Sequence, residues 1–266
     1  ARSADGTLVP MHISYQTKQP PSVHTPCLIN MYGGFSHNMF PSFDYQALSW
    51  ISMGGIWCQP FLRGGAELGE EWHKQAIGTN KERTFEDALA CAQYLIDKKY
   101  SSREKLAIKG SSNGGLTVGV LITRHPELFG AAIATNGLFD MLKFATHSVG
   151  WSWEREYGSV ENKKEFTALK AYSPYHNITG KALPALLLCV SDSDDRVLPW
   201  HTIKFAAGIA SGASDKTTTD KNPTAKTTVP NRVILRLESK RGHSANQPSH
   251  IVTDQLAFLH HFLKMK

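Results

Sequence analysis

No hydrophobic run in the 266 residues approaches the roughly 20 apolar residues that a membrane-spanning helix needs, so no membrane reading is supported. Cysteine is scarce. Cys27, Cys58, Cys91 and Cys189 lie far apart within apolar stretches, with no C-x-x-C pair. That spacing gives neither a disulfide framework nor a zinc site; it predicts buried free thiols and a reducing, cytoplasmic setting. HExxH, EF-hand, Walker and dinucleotide patterns are also missing, so neither a metal nor another cofactor is expected. The formal charge is +6, but lysines such as Lys74, Lys98, Lys143, Lys170, Lys216 and Lys266 are scattered and not gathered into one basic face. Without that footprint, nucleic acid is not an expected partner. The first sixteen residues have no apolar h-region and no small-residue cleavage site, so no secretory signal is read there.

What the chain does have is a composition of 41% hydrophobic and 20% charged residues and enough length for one large α/β domain, read as residues 1–266. Short apolar runs alternate with amphipathic segments, the pattern of a mostly parallel twisted sheet with helices on both faces. Strands are expected at 27–31, 56–61, 106–109, 131–134, 185–190 and 233–237. Helices are expected at 85–97, 115–124, 199–210, with Pro199 as first helical residue, and 248–264. In the first of these, Phe85, Ala88, Leu89, Ala92, Leu95 and Ile96 repeat at i, i+3, i+4 and form one stripe. The low-complexity segment 211–230 has no large side chain before Val229 and reads as a surface loop.

One turn carries chemistry. After the run Leu106, Ala107, Ile108 comes Lys109-Gly110-Ser111-Ser112-Asn113-Gly114-Gly115. A serine becomes a useful nucleophile only when it projects from a sharp turn beside a base, and G-x-S-x-G between strand and helix supplies that turn. Ser112 has glycines at both flanking positions, whereas Ser111 has Lys109 and Asn113 there, so Ser112 is the candidate. The backbone N–H of Asn113 would then open a helix and face a developing oxyanion. Downstream, Asp192, Asp194 and Asp195 follow one strand and His243 follows the last, in the order serine, acid, histidine. The pattern does not choose among the three acids, since one of them could cap the following helix. The pair Gly33-Gly34 after a strand suits either a second oxyanion donor or a tight turn. His125, His260 and His261 need no function beyond a solvated or structural one.

These residues, together with SADGTLVPM, MYGGF, RGGAELGEEWH, DMLKF, YSPYHN and DDRV, resemble the peptidase domain of the prolyl oligopeptidase family along essentially the whole chain. The resemblance implies an α/β-hydrolase fold with Ser112 as nucleophile, Asp194 as acid and His243 as base. It also implies an oxyanion hole of Asn113 N–H and the Tyr32 hydroxyl. Arg196 would bind a substrate carbonyl, and Trp153, with Tyr157 and Phe35 near it, would receive proline in an aromatic pocket, where a flat ring stacks on pyrrolidine. Two positions depart from the family pattern: Asn30-Met31 stands where an aromatic and a glycine are common, and Ser111 stands where glycine is usual. The β-propeller that caps the site in this family is not encoded in these residues.

The expectation is therefore a monomeric serine peptidase acting on proline-containing oligopeptides, with the propeller as its partner domain if one is present. Transpeptidation to cyclic peptides and a non-catalytic interaction domain are the alternatives. Labelling of Ser112 by an organophosphate probe discriminates against the last.

Overall fold

The apolar runs become the strands of one seven-stranded sheet in the computed structural model, which describes residues 1–212, 232–243 and 248–265. In chain order the elements are β1 (Met11–Ser14), β2 (Cys27–Met31), α1 (Tyr45–Ser52), β3 (Ile56–Pro60), α2 (Glu70–Lys74) and α3 (Glu82–Asp97). There follow β4 (Leu106–Ser111), α4 (Asn113–Arg124), β5 (Ala131–Thr135), α5 (Glu154–Tyr157) and α6 (Lys163–Tyr172). The last four are β6 (Ala185–Ser191), α7 (Trp200–Ser211), β7 (Val233–Glu238) and α8 (Ser249–Phe262).

The strand order is β1-β3-β2-β4-β5-β6-β7, with β1 antiparallel to β3 and every other pairing parallel. The register pairs Met31 with Gly110, Ser111 with Thr135, and Ser191 with Glu238. The C-terminal ends of β2, β4, β5, β6 and β7 therefore share one edge of the sheet, where sites form in open α/β folds.

Side chains of the central strands alternate between the two faces of the sheet, and both faces are buried. Ile29, Ile108, Ala132 and Leu188 pack with Ala88, Leu95, Val118, Leu121 and Phe205, so α3, α4 and α7 cover one face. Leu28, Ala107, Ile133, Leu187 and Cys189 pack with Trp50, Phe258 and Leu259, so α1 and α8 cover the other. A buried strand on both faces reads as a continuous apolar run, which is why these strands were visible in the sequence. A third cluster, including Phe85, Leu116, Phe144, Tyr157 and Tyr172, lies apart from the sheet core and includes the α5 residue Tyr157.

The expected elements are present with shifted ends. β3 stops at Pro60, β4 to β7 each extend one or two residues further, α3 begins at Glu82, and α4 begins at Asn113. Pro199 is the N-cap of α7, not its first helical residue. β1, α1, α2, α5 and α6 were not foreseen. All four cysteines are buried and unpaired. The expected loop at 211–230 lies outside the described residues beyond Gly212. Among the described residues, no helix is long and apolar enough to cross a membrane, and no group of three metal-ligating side chains converges.

Candidate active site

The turn from β4 to α4 is built by exclusion of side chains. A Cβ on Gly110 would run into the carbonyl of Gly114, and one on Gly114 into the carbonyl of Met31. A Cβ on Gly115 would sit 2.7 Å from Gly137 Cα. With those positions bare, Ser112 takes φ +55° and ψ −118°, a conformation costly for any residue with a side chain. Its N–H is anchored to the Thr135 carbonyl at 2.9 Å, and the chain enters α4 at the next residue. Ser112 thus stands at the sheet edge, and the Asn113 N–H is one of the first-turn amides that have no partner inside the helix. Ser111 is the last residue of β4, paired with Thr135 and partly exposed, so a side chain there is tolerated.

The three candidate acids separate clearly. Asp194, after β6, is 2% exposed, and its Oδ2 lies 2.6 Å from His243 Nδ1. Its Oδ1 accepts the backbone N–H groups of Arg196 at 3.0 Å and Val197 at 2.9 Å, which fixes the carboxylate. Asp192 is exposed and accepts from the Ser193 hydroxyl at 2.8 Å and the Lys240 N–H at 2.7 Å. Asp195 offers its backbone carbonyl to the Ser148 hydroxyl. None of the three caps α7.

Tyr32 follows β2. Burial pushes its phenol above the ordinary range, opposed by a hydrogen bond with the Ser112 side chain and by the charge of Arg196. A phenol held protonated beside the serine is a donor. Tyr32, Phe35, Ser112, Leu138, Trp153, Tyr157 and Arg196 line a pocket of about 110 Å³. Phe35 meets Tyr157 edge-on at 5.5 Å and Trp153 at 6.4 Å between ring centroids. Tyr157 is fully buried, and its hydroxyl donates to Asn113 Oδ1 at 2.9 Å. Asn113 Nδ2 in turn donates to the Tyr32 carbonyl at 2.7 Å. Among the described residues the exposed Arg196 makes no ion pair.

Nine residues singled out in the sequence therefore lie at one edge of the sheet: Ser112, Asp194, His243, Tyr32, Asn113, Trp153, Tyr157, Phe35 and Arg196. Leu138 in the pocket wall was missed; nothing in the run Gly137-Leu138-Phe139 distinguishes a pocket residue from a core one. His125 ends α4, and His260 and His261 lie on α8, away from this edge. His201 is buried, and burial brings its pKa down to about 3, so it is neutral.

A family profile described as the prolyl oligopeptidase family matches residues 41–266. A prolyl endopeptidase of Elizabethkingia meningoseptica is 36% identical over 259 residues, which is 97% of this chain and 35% of that protein. A dual-function macrocyclase-peptidase of Amanita bisporigera is 41% identical over 211 residues, 78% of this chain and 29% of its own length. The solved structure of a post-proline cleaving enzyme from Rickettsia typhi superposes with a TM-score of 0.89 at 31% identity, covering 100% of this chain and 37% of that one. The chain thus spans about a third of the length of these relatives. With an α/β-hydrolase sheet and this breadth of match, the chain belongs to the prolyl oligopeptidase family.

Proposed function

We propose that residues 1–266 form the catalytic domain of a serine peptidase that cleaves short peptides on the carboxyl side of proline. The observation that carries this reading is the 2.6 Å hydrogen bond between His243 and Asp194, at the same sheet edge as a strained Ser112. With Nδ1 facing Asp194, the other ring nitrogen, Nε2, is left to take the Ser112 proton as Oγ attacks the substrate carbonyl. The tetrahedral oxyanion receives hydrogen bonds from Asn113 N–H and the Tyr32 hydroxyl, which strengthen as charge develops. His243 then protonates the leaving amine, and water releases the acyl group by the reverse sequence. Arg196, exposed at the pocket and without an ion pair among the described residues, holds a substrate carbonyl.

The aromatic pocket supports the proline preference. Its volume of about 110 Å³ lies far below the roughly 300–1,000 Å³ of a drug-sized site, so it suits a single compact side chain. Trp153 and Phe35 offer ring faces for a pyrrolidine. The same reading takes the enzyme to be a cytoplasmic monomer without a cofactor, with a propeller domain covering the site if the full-length protein has one. Four buried thiols suit a reducing compartment.

Cleavage of a Gly-Pro reporter peptide tests the proposal: Ser112→Ala abolishes it and abolishes organophosphate labelling. Retained cleavage in that variant overturns the assignment. The Amanita relative, named a macrocyclase-peptidase, favours a second reading in which a peptide amine captures the acyl-enzyme. Mass spectrometry of products from a long peptide separates the two, because cyclisation by transpeptidation yields a ring and hydrolysis a linear acid.

A further inference from the structure

One buried carboxylate ties the turn that carries Tyr32 to the segment that carries Trp153 and Tyr157. Glu156 lies in α5 and is 4% exposed. Its Oε1 accepts the Phe35 N–H at 3.0 Å and Lys81 Nζ at 2.9 Å. Its Oε2 lies 2.8 Å from His73 Nε2 in α2. Lys81 is fully buried, and its Nζ also donates to the Gly33 carbonyl at 2.9 Å. The same ion pair therefore grips the backbone on both sides of Gly34, immediately after Tyr32.

That turn needs holding. Gly33 has φ +70°, and Phe35 and Ser36, both with side chains, have φ +55° and +54°. Such conformations persist only where the surroundings over-determine them, and they gather at functional sites. Stability alone is a poor account of the ion pair, because burying two charges costs about as much as their attraction returns. Burial would raise the Glu156 carboxyl, yet Lys81, His73 and the Phe35 N–H bring it below its ordinary range. Removing the carboxylate's charge leaves Lys81 with no anionic partner among its hydrogen bonds and weakens the hold of α5 on the turn.

We infer that Glu156 is a positioning residue: by holding Phe35 directly and Gly33 through Lys81, it sets the Tyr32 hydroxyl at Ser112 and fixes the spacing between that hydroxyl and the aromatic wall. The inference rests on the reading of Ser112 and Tyr32 given under Proposed function.

A double-mutant cycle in the 266-residue chain tests it, using reporter cleavage for kcat and KM and a thermal midpoint for folding. Tyr32→Phe removes one oxyanion donor and lowers kcat about 100-fold. Glu156→Gln lowers kcat about tenfold in the wild-type background and less than twofold in the Tyr32→Phe background, because the hydroxyl that it positions is already gone. An equal loss in both backgrounds, or no loss with Tyr32 present, overturns the inference. If Glu156→Gln does not fold, His73→Gln takes its place in the same cycle with an expected threefold loss, and equal losses in both backgrounds again overturn it. Ser112→Ala accompanies the series. Cleavage surviving in Ser112→Ala sinks the site reading itself, whereas a dead Ser112→Ala, an impaired Tyr32→Phe and a multiplicative cycle sink only the role of Glu156. An unimpaired Tyr32→Phe beside a dead Ser112→Ala also sinks that role and leaves Ser112 in place.

Discussion

The buried Tyr157 hydroxyl donates to the Asn113 side chain at 2.9 Å, so the wall of the aromatic pocket is bonded to the residue that follows Ser112 and opens α4. Asn113 passes the link on to the Tyr32 carbonyl through Nδ2. Its side chain is thus a bridge with one acceptor and one donor committed. Gly34 makes room for it, since a Cβ there would lie 2.6 Å from Nδ2.

Asn113→Ala should expose that dependence. It preserves the backbone N–H but strands the buried Tyr157 phenol and leaves the Tyr32 carbonyl with only the 3.3 Å bond from the Thr117 hydroxyl. Loss of stability of about 1–3 kcal/mol is expected, the cost of one orphaned buried polar group. Urea unfolding measures it. Cleavage should fall even where the protein remains folded, because the Tyr32 carbonyl loses the shorter of its two side-chain bonds; unchanged kcat with lowered stability would confine Asn113 to packing.

The acids make a second comparison. Asp194→Asn leaves the shape of the site intact but deprives His243 of the carboxylate that orients it, and loss of kcat on the order of 10⁴-fold is expected from the wrong tautomer. Asp192→Asn and Asp195→Asn, whose contacts lie with Lys240, Ser193 and Ser148, should change kcat less than threefold. Steady-state cleavage by the three variants decides it, and a severe loss in either of the latter two would reassign the acid.

Lys109 gives a stability signature in pH. It is buried in β4 with Nζ donating to Gln46 Oε1, and Gln46 Nε2 donates to Gln255 Oε1 at 3.1 Å. Burial brings its pKa down to about 8. An unfolded lysine titrates near about 10.4, so between about pH 8 and 10 the unfolded chain binds more protons and this group's contribution rises with pH. Below that window the full penalty is present, about 3 kcal/mol at roughly 1.4 kcal/mol for each unit of depression. Buried thiols act the opposite way as the unfolded cysteines ionise, since burial holds all four above the ordinary range. The informative quantity is therefore the difference between chains. Relative to wild type, Lys109→Met should lose about 2–3 kcal/mol of advantage between pH 7.5 and 10, read by urea denaturation. A constant difference across that range would mean that Lys109 keeps an ordinary pKa.

Much of this was legible because steric demands leave marks in composition. The elbow requires glycine at residues 110 and 114, and a side chain at either collides with backbone; that is why two glycines around Ser112 carried so much information. Strands buried on both faces became apolar runs. β1 was missed because Met-His-Ile-Ser is only half-buried at a sheet edge, and α5 because four residues cannot display a period. In α6 only Leu169 and Tyr172 are buried, so its apolar stripe is thin. Its cap was there to be read: Asn162 accepts from the N–H groups of Lys164 and Glu165, as Asp44 does for α1. The Glu156, Lys81 and His73 cluster left no mark, because its members lie 75 and 83 positions apart and nothing in their own neighbourhoods requires a charge.

The edge position of β7 matters beyond topology. Tyr32, Ser112, Asp194 and His243 follow four different strands, and the last of them hangs from the outermost one, where Ile234, Leu235 and Leu237 are about half exposed. An outer strand opens more readily than a central one, through excursions that leave the rest of the sheet paired. His243 is thus the member of the group whose strand is paired on one side only. A molecule can keep its helices, its core and an intact serine turn, and still lose the bond between His243 and Asp194 when that strand opens.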